Sequence, residues 1–96
     1  MDMSPGMITT LRELNIGKRW YMFDVNMQAT VGMSVSYELF DFQGNRIHRA
    51  NYSLREGHDA DHKVVPSNPI PEGMLVHRFS FVDGSEKTIT TIRQPN

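Results

Sequence analysis

Hydrophobic residues recur at every second position over most of this chain, and this period constrains its fold more than any other feature. In the segment 21–27, for example, Tyr21, Phe23, Val25 and Met27 fall on one face, while Asp24 and Asn26 fall on the other. Such alternation is typical of a β-strand with one buried face. No segment carries the 3.6-residue apolar stripe of an amphipathic helix. The sequence therefore predicts an all-β protein.

Turn residues separate the alternating segments. Gln43-Gly44-Asn45 follows one long alternating run and Asp83-Gly84 follows another, and both sequences favour antiparallel hairpins because their residues tolerate positive φ. Pro66, Pro69 and Pro71 are incompatible with a central strand. They predict an extended segment that crosses between two sheets.

Two segments are read less directly. The polar run 53–61 contains a glycine and is interpreted as a loop before a short strand at 62–65. The segment 8–14 fits either an edge strand or a single helical turn. Together the runs predict six or seven short strands without crossover helices, as in an antiparallel β-sandwich.

The length of 96 residues leaves room for one domain with a thin core. We expect a single domain over residues 1–96 with an N-terminal arm over residues 1–8. Methionines inside strands are interpreted as core residues that fill gaps: Met22, Met27, Met33 and Met74. The alternation places the following on inner faces: Tyr21, Phe23, Val25, Val35, Tyr37, Leu39, Leu75, Phe79, Phe81, and either Ile89 or Ile92.

Charge and composition exclude several classes of function. Ten Lys and Arg residues face eleven Asp and Glu residues, for a formal charge of −1, so no basic field predicts binding to nucleic acid or an anionic membrane. The absence of cysteine excludes disulfides and thiolate metal sites. The first residues show no secretory signal, which predicts cytoplasmic synthesis and leaves the final location open, a virion included.

The segment 57–62 concentrates metal-ligand side chains, with two histidines and two aspartates. On an extended strand His58 and His62 point to one face and Asp59 and Asp61 to the other, so one ion cannot take all four. A solvated loop is therefore favoured over a metal site built on His58 and His62. Likewise His77 is interpreted as a core or interface residue, and His48 as an exposed strand residue.

No nucleophile elbow, phosphate-binding glycine loop or deaminase motif occurs in the sequence. Asp24 and Asp41 lie on separate predicted strands, and turn capping or solvent exposure explains them better than acid–base catalysis. We therefore expect a protein that is not an enzyme and needs no cofactor.

Two hairpin sequences resemble a known family. The run from Ser34 to Ile47 resembles the "strand, Asp, x, x-Gly, strand" hairpin of immunoglobulin-like modules in flagellar hook-capping proteins and in C-terminal sorting domains of Bacteroidetes secreted proteins. The run from Ile70 to Phe79, followed by Asp83-Gly84 and a closing strand at 87–92, resembles the second hairpin of the same modules. The resemblance covers about residues 31–93 and implies an immunoglobulin-like sandwich.

Several apolar residues are expected outside the core. A patch of exposed aromatic and methionine side chains usually marks a protein contact, although a second packed layer explains it equally well. The residues assigned to partner binding are Trp20, Met22, Phe40 and Phe42, with Met3 and Met7 in the N-terminal arm.

Two functions remain open from the sequence. One is a structural subunit of a larger assembly, such as a virion decoration, head or tail protein, which binds protein partners or copies of itself through strand edges and the N-terminal arm. The other is an immunoglobulin-like sorting or binding module of a secreted bacterial protein, as the resemblance implies.

Overall fold

The computed structural model describes residues 6–15, 21–57, 59–64, 66 and 70–93, and these ranges contain seven strands. No helix within these ranges is long and apolar enough to cross a membrane. The strands are β1 (Gly6–Asn15), β2 (Tyr21–Ala29), β3 (Met33–Phe40), β4 (Arg46–Leu54), β5 (Asp59–Val64), β6 (Gly73–Phe81) and β7 (Glu86–Arg93).

The strands form two antiparallel sheets. One has three strands in the order β1-β2-β5, and the other has four in the order β4-β3-β6-β7. The predicted all-β sandwich is confirmed. The chain crosses from the three-stranded sheet to the four-stranded sheet between β5 and β6, and Pro66 and Pro71 lie on this crossing, as predicted, whereas Pro69 lies outside the described residues.

The core lies between the two sheets. Phe23 on β2 meets the ring of His77 on β6 edge to face, with ring centroids 4.6 Å apart, and this contact joins the sheets. Both side chains are 0% exposed. The other buried apolar residues are Val25, Met27, Ala29, Met33, Val35, Tyr37, Leu39, Leu54, Val64, Ile70, Leu75, Phe79 and Phe81.

Most of the predicted inner-face residues are buried, but two apolar residues on β6 and β7 that were candidates for the core are exposed. Ile89 is half-buried against the core, whereas Ile92 is 61% exposed. Met27 and Met33 are buried as predicted, but Met74 is 43% exposed, so its assignment to the core is wrong. Met74 alternates with buried Leu75, and strand geometry therefore turns it outward. The side chains of Tyr21 and Met22 lie outside the described residues.

The two predicted hairpins are built in the same way. In β3–β4 the Gly44 N–H donates to the Asp41 carbonyl at 3.1 Å, and in β6–β7 the Gly84 N–H donates to the Phe81 carbonyl at 2.9 Å. Both glycines have positive φ, 87° and 92°, whereas Asn45 does not. Each turn is a three-residue loop closed by a glycine bulge, rather than the two-residue turn that Asp-Gly alone favours.

Strand pairing decides the ambiguous segment 8–14 and corrects the predicted loop 53–61 in part. The segment 8–14 belongs to edge strand β1, which pairs with β2 from Gly6 onward, so it is not a helical turn. The segment 53–61 is only partly a loop. Strand β4 continues to Leu54, and β5 begins at Asp59 because Asp59 pairs with Gln28 on β2. The last three residues of the expected arm 1–8 lie in β1, and residues 1–5 lie outside the described residues.

Candidate interaction face

The outer face of the four-stranded sheet carries adjoining apolar side chains. Phe40 on β3 is the cross-strand partner of Val76 on β6, and Met74 on β6 is the partner of Ile92 on β7. Phe40 and Val76 are half-buried, while Met74 and Ile92 are exposed. We call these four residues the apolar patch. They share this face because each alternates with a side chain that points into the core.

A charged cluster borders the apolar patch. Glu38 accepts a hydrogen bond from Arg78 at 2.6 Å and another from Arg46 at 3.2 Å. The Arg78 hydrogen bond, helped by that of Arg46, lowers the pKa of Glu38. The guanidinium of Arg78 also lies 5.0 Å from the centre of the Phe40 ring, which is cation–π distance. These contacts hold the Phe40 edge of the patch in a defined position.

The inner face behind this cluster carries a buried polar network. The Tyr37 hydroxyl lies 2.8 Å from Nδ1 of His77, and Nε2 of His77 lies 2.8 Å from the Thr91 hydroxyl. A neutral imidazole has one N–H donor and one acceptor nitrogen, so the two hydroxyls satisfy either tautomer. Burial lowers the pKa of His77 to about 4 and raises that of Tyr37, so both stay uncharged at neutral pH. The network links β3, β6 and β7 inside the core.

His77 is therefore the satisfied core histidine that one sequence interpretation predicted. His48 differs from its prediction: it is half-buried, because it is the cross-strand partner of Leu39 on the inner face. The ring of His48 lies 6.2 Å from that of Tyr37. Burial lowers the pKa of His48 as well.

The two aspartates that were considered as an acid–base pair have separate roles. Asp41 caps the β3–β4 turn by accepting hydrogen bonds from the backbone N–H groups of Gln43 and Asn45, which confirms turn capping. Asp24 is only 5% exposed, so the expectation of solvent exposure is wrong for it. It forms an ion pair with Arg12 at 3.0 Å across β1 and β2.

The residues assigned to partner binding do not all share one surface. Phe40 lies in the apolar patch, and Phe42, 62% exposed, lies on the turn that follows β3. Met7 is 53% exposed but belongs to β1 in the other sheet. Met22 is in β2 with its side chain outside the description, and Trp20 and Met3 lie outside the described residues.

Sequence reasoning missed three residues of the apolar patch as contact residues: Met74, Val76 and Ile92. The available signal was the alternation of inward and outward side chains along a strand. Once Leu75 and His77 are assigned to the core, Met74 and Val76 must face outward. For Ile92 the sequence left the choice with Ile89 open, and the pairing of Ile89 with buried His77 decides it.

The candidate metal ligands of the segment 57–62 lie outside the side chains that the structure describes. His62 lies on β5 as the cross-strand partner of Val25, and His58 lies outside the described residues. No group of three or more potential metal ligands occurs among the side chains whose placement the structure gives.

The fold and the face define a class of protein: an all-β sandwich of two antiparallel sheets with an exposed apolar patch on the larger one. Comparison with protein-family models finds no match for the chain. Comparison with curated proteins finds no match either. A sandwich fold supports many functions, so the function of this chain depends on the surface that the sandwich presents.

Proposed function

We propose that this chain is a non-catalytic structural or protein-interaction subunit of a larger assembly, such as a decoration, head or tail protein of a virion. It contacts its neighbours through the apolar patch, the strand edges and the N-terminal segment 1–8. The apolar patch is the observation that carries the proposal, because Met74 and Ile92 lie side by side with 43% and 61% of their surfaces exposed. Adjoining exposed apolar side chains are typical of a protein contact.

The charged cluster beside the patch supports this proposal. Contacts between proteins commonly have an apolar centre and a polar rim, with arginine enriched among the contact residues. Glu38 already pairs Arg78 and Arg46, so these long side chains are held before a partner arrives. A side chain that is held in place loses less conformational entropy on binding than a free one.

The test is the mass of the native complex that contains this chain in extracts of the cells that express it. We expect the tagged chain to elute well above its own mass of 11.0 kDa, together with protein partners. Met74→Glu places a charge in the patch and shifts the chain toward its own mass. Val82→Glu is the matched control, because Val82 is 72% exposed but lies on the β6–β7 turn, outside the patch. Elution of the wild-type chain as a lone monomer contradicts the proposal.

At a finer level we propose that the sandwich is immunoglobulin-like. In that fold the second strand pairs with strand E, and strands C, F and G form the opposite sheet. The order β1-β2-β5 and β4-β3-β6-β7 fits this scheme when the strands are named A, B, C, C′, E, F and G. The two bulged hairpins over 33–54 and 73–93 correspond to the runs that carry the family resemblance.

This strand order favours a second candidate function, an immunoglobulin-like sorting or binding module of a secreted bacterial protein. The gene sequence upstream of the Met1 codon separates the two candidates. A reading frame that continues upstream into further domains and a secretion signal supports the module. A stop codon in frame directly upstream supports the separate subunit.

A further inference from the structure

We propose that the free edge of β7 pairs antiparallel with β7 of a second copy of the chain, about a twofold axis that passes between the two Ile89 residues. The pairing joins two four-stranded sheets into one continuous sheet. This inference rests on the proposed assembly function and names one of its partners and the surface that binds it.

Among the strands that the structure describes, four lie at sheet edges, and β7 is the least protected of them. The pairing of β1 with β2 shifts register between Ile8 and Thr10, and the pairing of β4 with β3 shifts between Leu39 and Phe40. Such irregularities protect an edge against further pairing. The six residues of β5 include three charged ones, which protect it differently.

In contrast, β7 pairs with β6 in unbroken register over its whole length, from Glu86 to Arg93. Its centre, residues 88–92, reads Thr-Ile-Thr-Thr-Ile, five consecutive β-branched residues without charge, proline or glycine. Such residues have the highest preference for strands. A regular edge with an uncharged centre of this kind recruits another strand, and proteins usually cover or interrupt it.

The backbone of β7 alternates between groups that bond β6 and groups that face away. The Phe81 N–H donates to the Ser85 carbonyl at 2.9 Å, so Phe81 and Ser85 form a hydrogen-bonded pair. In an antiparallel ladder such pairs recur at every second residue, so Lys87, Ile89 and Thr91 bond β6. The residues that direct their N–H and carbonyl groups toward the free edge are Glu86, Thr88, Thr90 and Ile92.

A second copy of β7 matches this pattern. Twofold pairing within one continuous sheet requires opposite residues to share a face, so the sum of their numbers is even. With Ile89 on the axis, Thr88 lies opposite Thr90 of the second copy, and the two half-buried Ile89 side chains cover each other. Cross-strand pairs of threonines and of β-branched side chains are favourable.

Charge and strand length favour this register over the two adjacent registers, which place Thr90 or Thr88 on the axis. Placing Thr90 on the axis sets Lys87 directly opposite Arg93, which is unfavourable. Placing Thr88 on the axis leaves Ile92 opposite Gly84, outside the strand. The formal charge of −1 on the whole chain adds little repulsion between copies.

Hydrogen exchange of individual amides in the purified chain tests the pairing without any substitution. At low concentration the outward N–H groups of Thr88, Thr90 and Ile92 exchange quickly, while those of Ile89 and Thr91 are protected by β6. Raising the concentration until nine-tenths of the chain is paired slows the outward amides about tenfold, since only the unpaired fraction exchanges. Outward amides that remain fast up to millimolar concentration overturn the proposal.

Thr90→Pro provides the second test, because it removes an N–H that faces the free edge and none that bonds β6. Thr90→Ala is the control, since it keeps this N–H. In sedimentation equilibrium we expect wild type and Thr90→Ala to approach twice the chain mass of 11.0 kDa, and Thr90→Pro to remain at that mass. A folded Thr90→Pro variant that still dimerises overturns the proposal.

The outcomes separate this inference from the function on which it rests. If the purified chain stays monomeric but its native complex depends on Met74, the strand pairing is wrong and the assembly function stands. If the chain pairs through β7 but elutes from extracts without other proteins, self-association stands and the wider assembly is wrong. If Thr90→Pro does not fold, hydrogen exchange in the wild type still decides.

Discussion

Protonation of His77 in the unfolded state is expected to destabilise the fold well above the pH at which carboxylates titrate. Unfolding releases His77 from the core and returns its pKa to the ordinary value near 6.5, whereas burial holds the folded pKa at about 4. Between these values the unfolded state binds a proton that the folded state does not. The stability from His77 is therefore complete above about pH 6.5 and is lost as pH falls toward 4.

The size of the effect follows from the two pKa values. At pH 5 an unfolded imidazole is almost fully protonated and the folded one is almost fully neutral, which amounts to about 2 kcal/mol of lost unfolding free energy. For a domain of this length, 1 kcal/mol corresponds to about 4 to 8 °C in Tm, so Tm falls by roughly 8 to 16 °C between pH 7 and pH 5.

The assay is thermal and urea unfolding followed by circular dichroism at pH 7, 6 and 5. The reference is the double variant Tyr37→Phe/His77→Leu, which replaces both partners of the hydrogen bond with apolar groups and removes the titrating imidazole. Thr91 is half-buried, so its hydroxyl can turn to water. The pKa of His48 is also lowered by burial, but His48 and all the carboxylates remain in both proteins and their contributions cancel in the comparison.

Equal losses of stability in the two proteins between pH 7 and pH 5 refute the reasoning, provided that both are folded at pH 7. Such a result means that protonated His77 is accommodated in the folded core. A loss confined to pH values below about 4.5 and equal in both proteins indicates instead that carboxylates alone govern the acid response.

Two further predictions concern packing and surface charge. A Cβ added at Gly6 comes within 2.6 Å of the Phe81 ring, so Gly6→Ala is expected to lower the unfolding free energy by about 1 to 3 kcal/mol in urea titrations. Gly32→Ala is the control, because its nearest neighbour is a backbone oxygen at an ordinary 3.7 Å, and an equal loss there contradicts the packing argument. Glu38→Gln removes the charge shared by its two arginines and is expected to cost up to about 1 kcal/mol at low salt. This cost shrinks in 1 M NaCl, and a loss independent of salt argues against an electrostatic origin.

The sequence by itself determined the class of fold and most of the core. The period of two marked Phe23, Val25, Tyr37 and Phe79 as inward, and all four are buried. Glycine and aspartate placed both hairpins, because only glycine readily adopts the positive φ that closes such loops. These features depend on residues close together in the chain, and local pattern is enough to predict them.

Only the tertiary structure decided which strands lie at edges and which side chains meet across them. The network of Tyr37, His77 and Thr91 joins residues 14 and 40 positions apart, and no local pattern encodes that distance. Met74 and Ile92 became one exposed patch through the register of β6 with β7. The position of β7 at an edge of the described sheet likewise follows from strand order. Which distant segments pair depends on the packing of the whole core, so the residues of one strand do not determine which strands lie beside it.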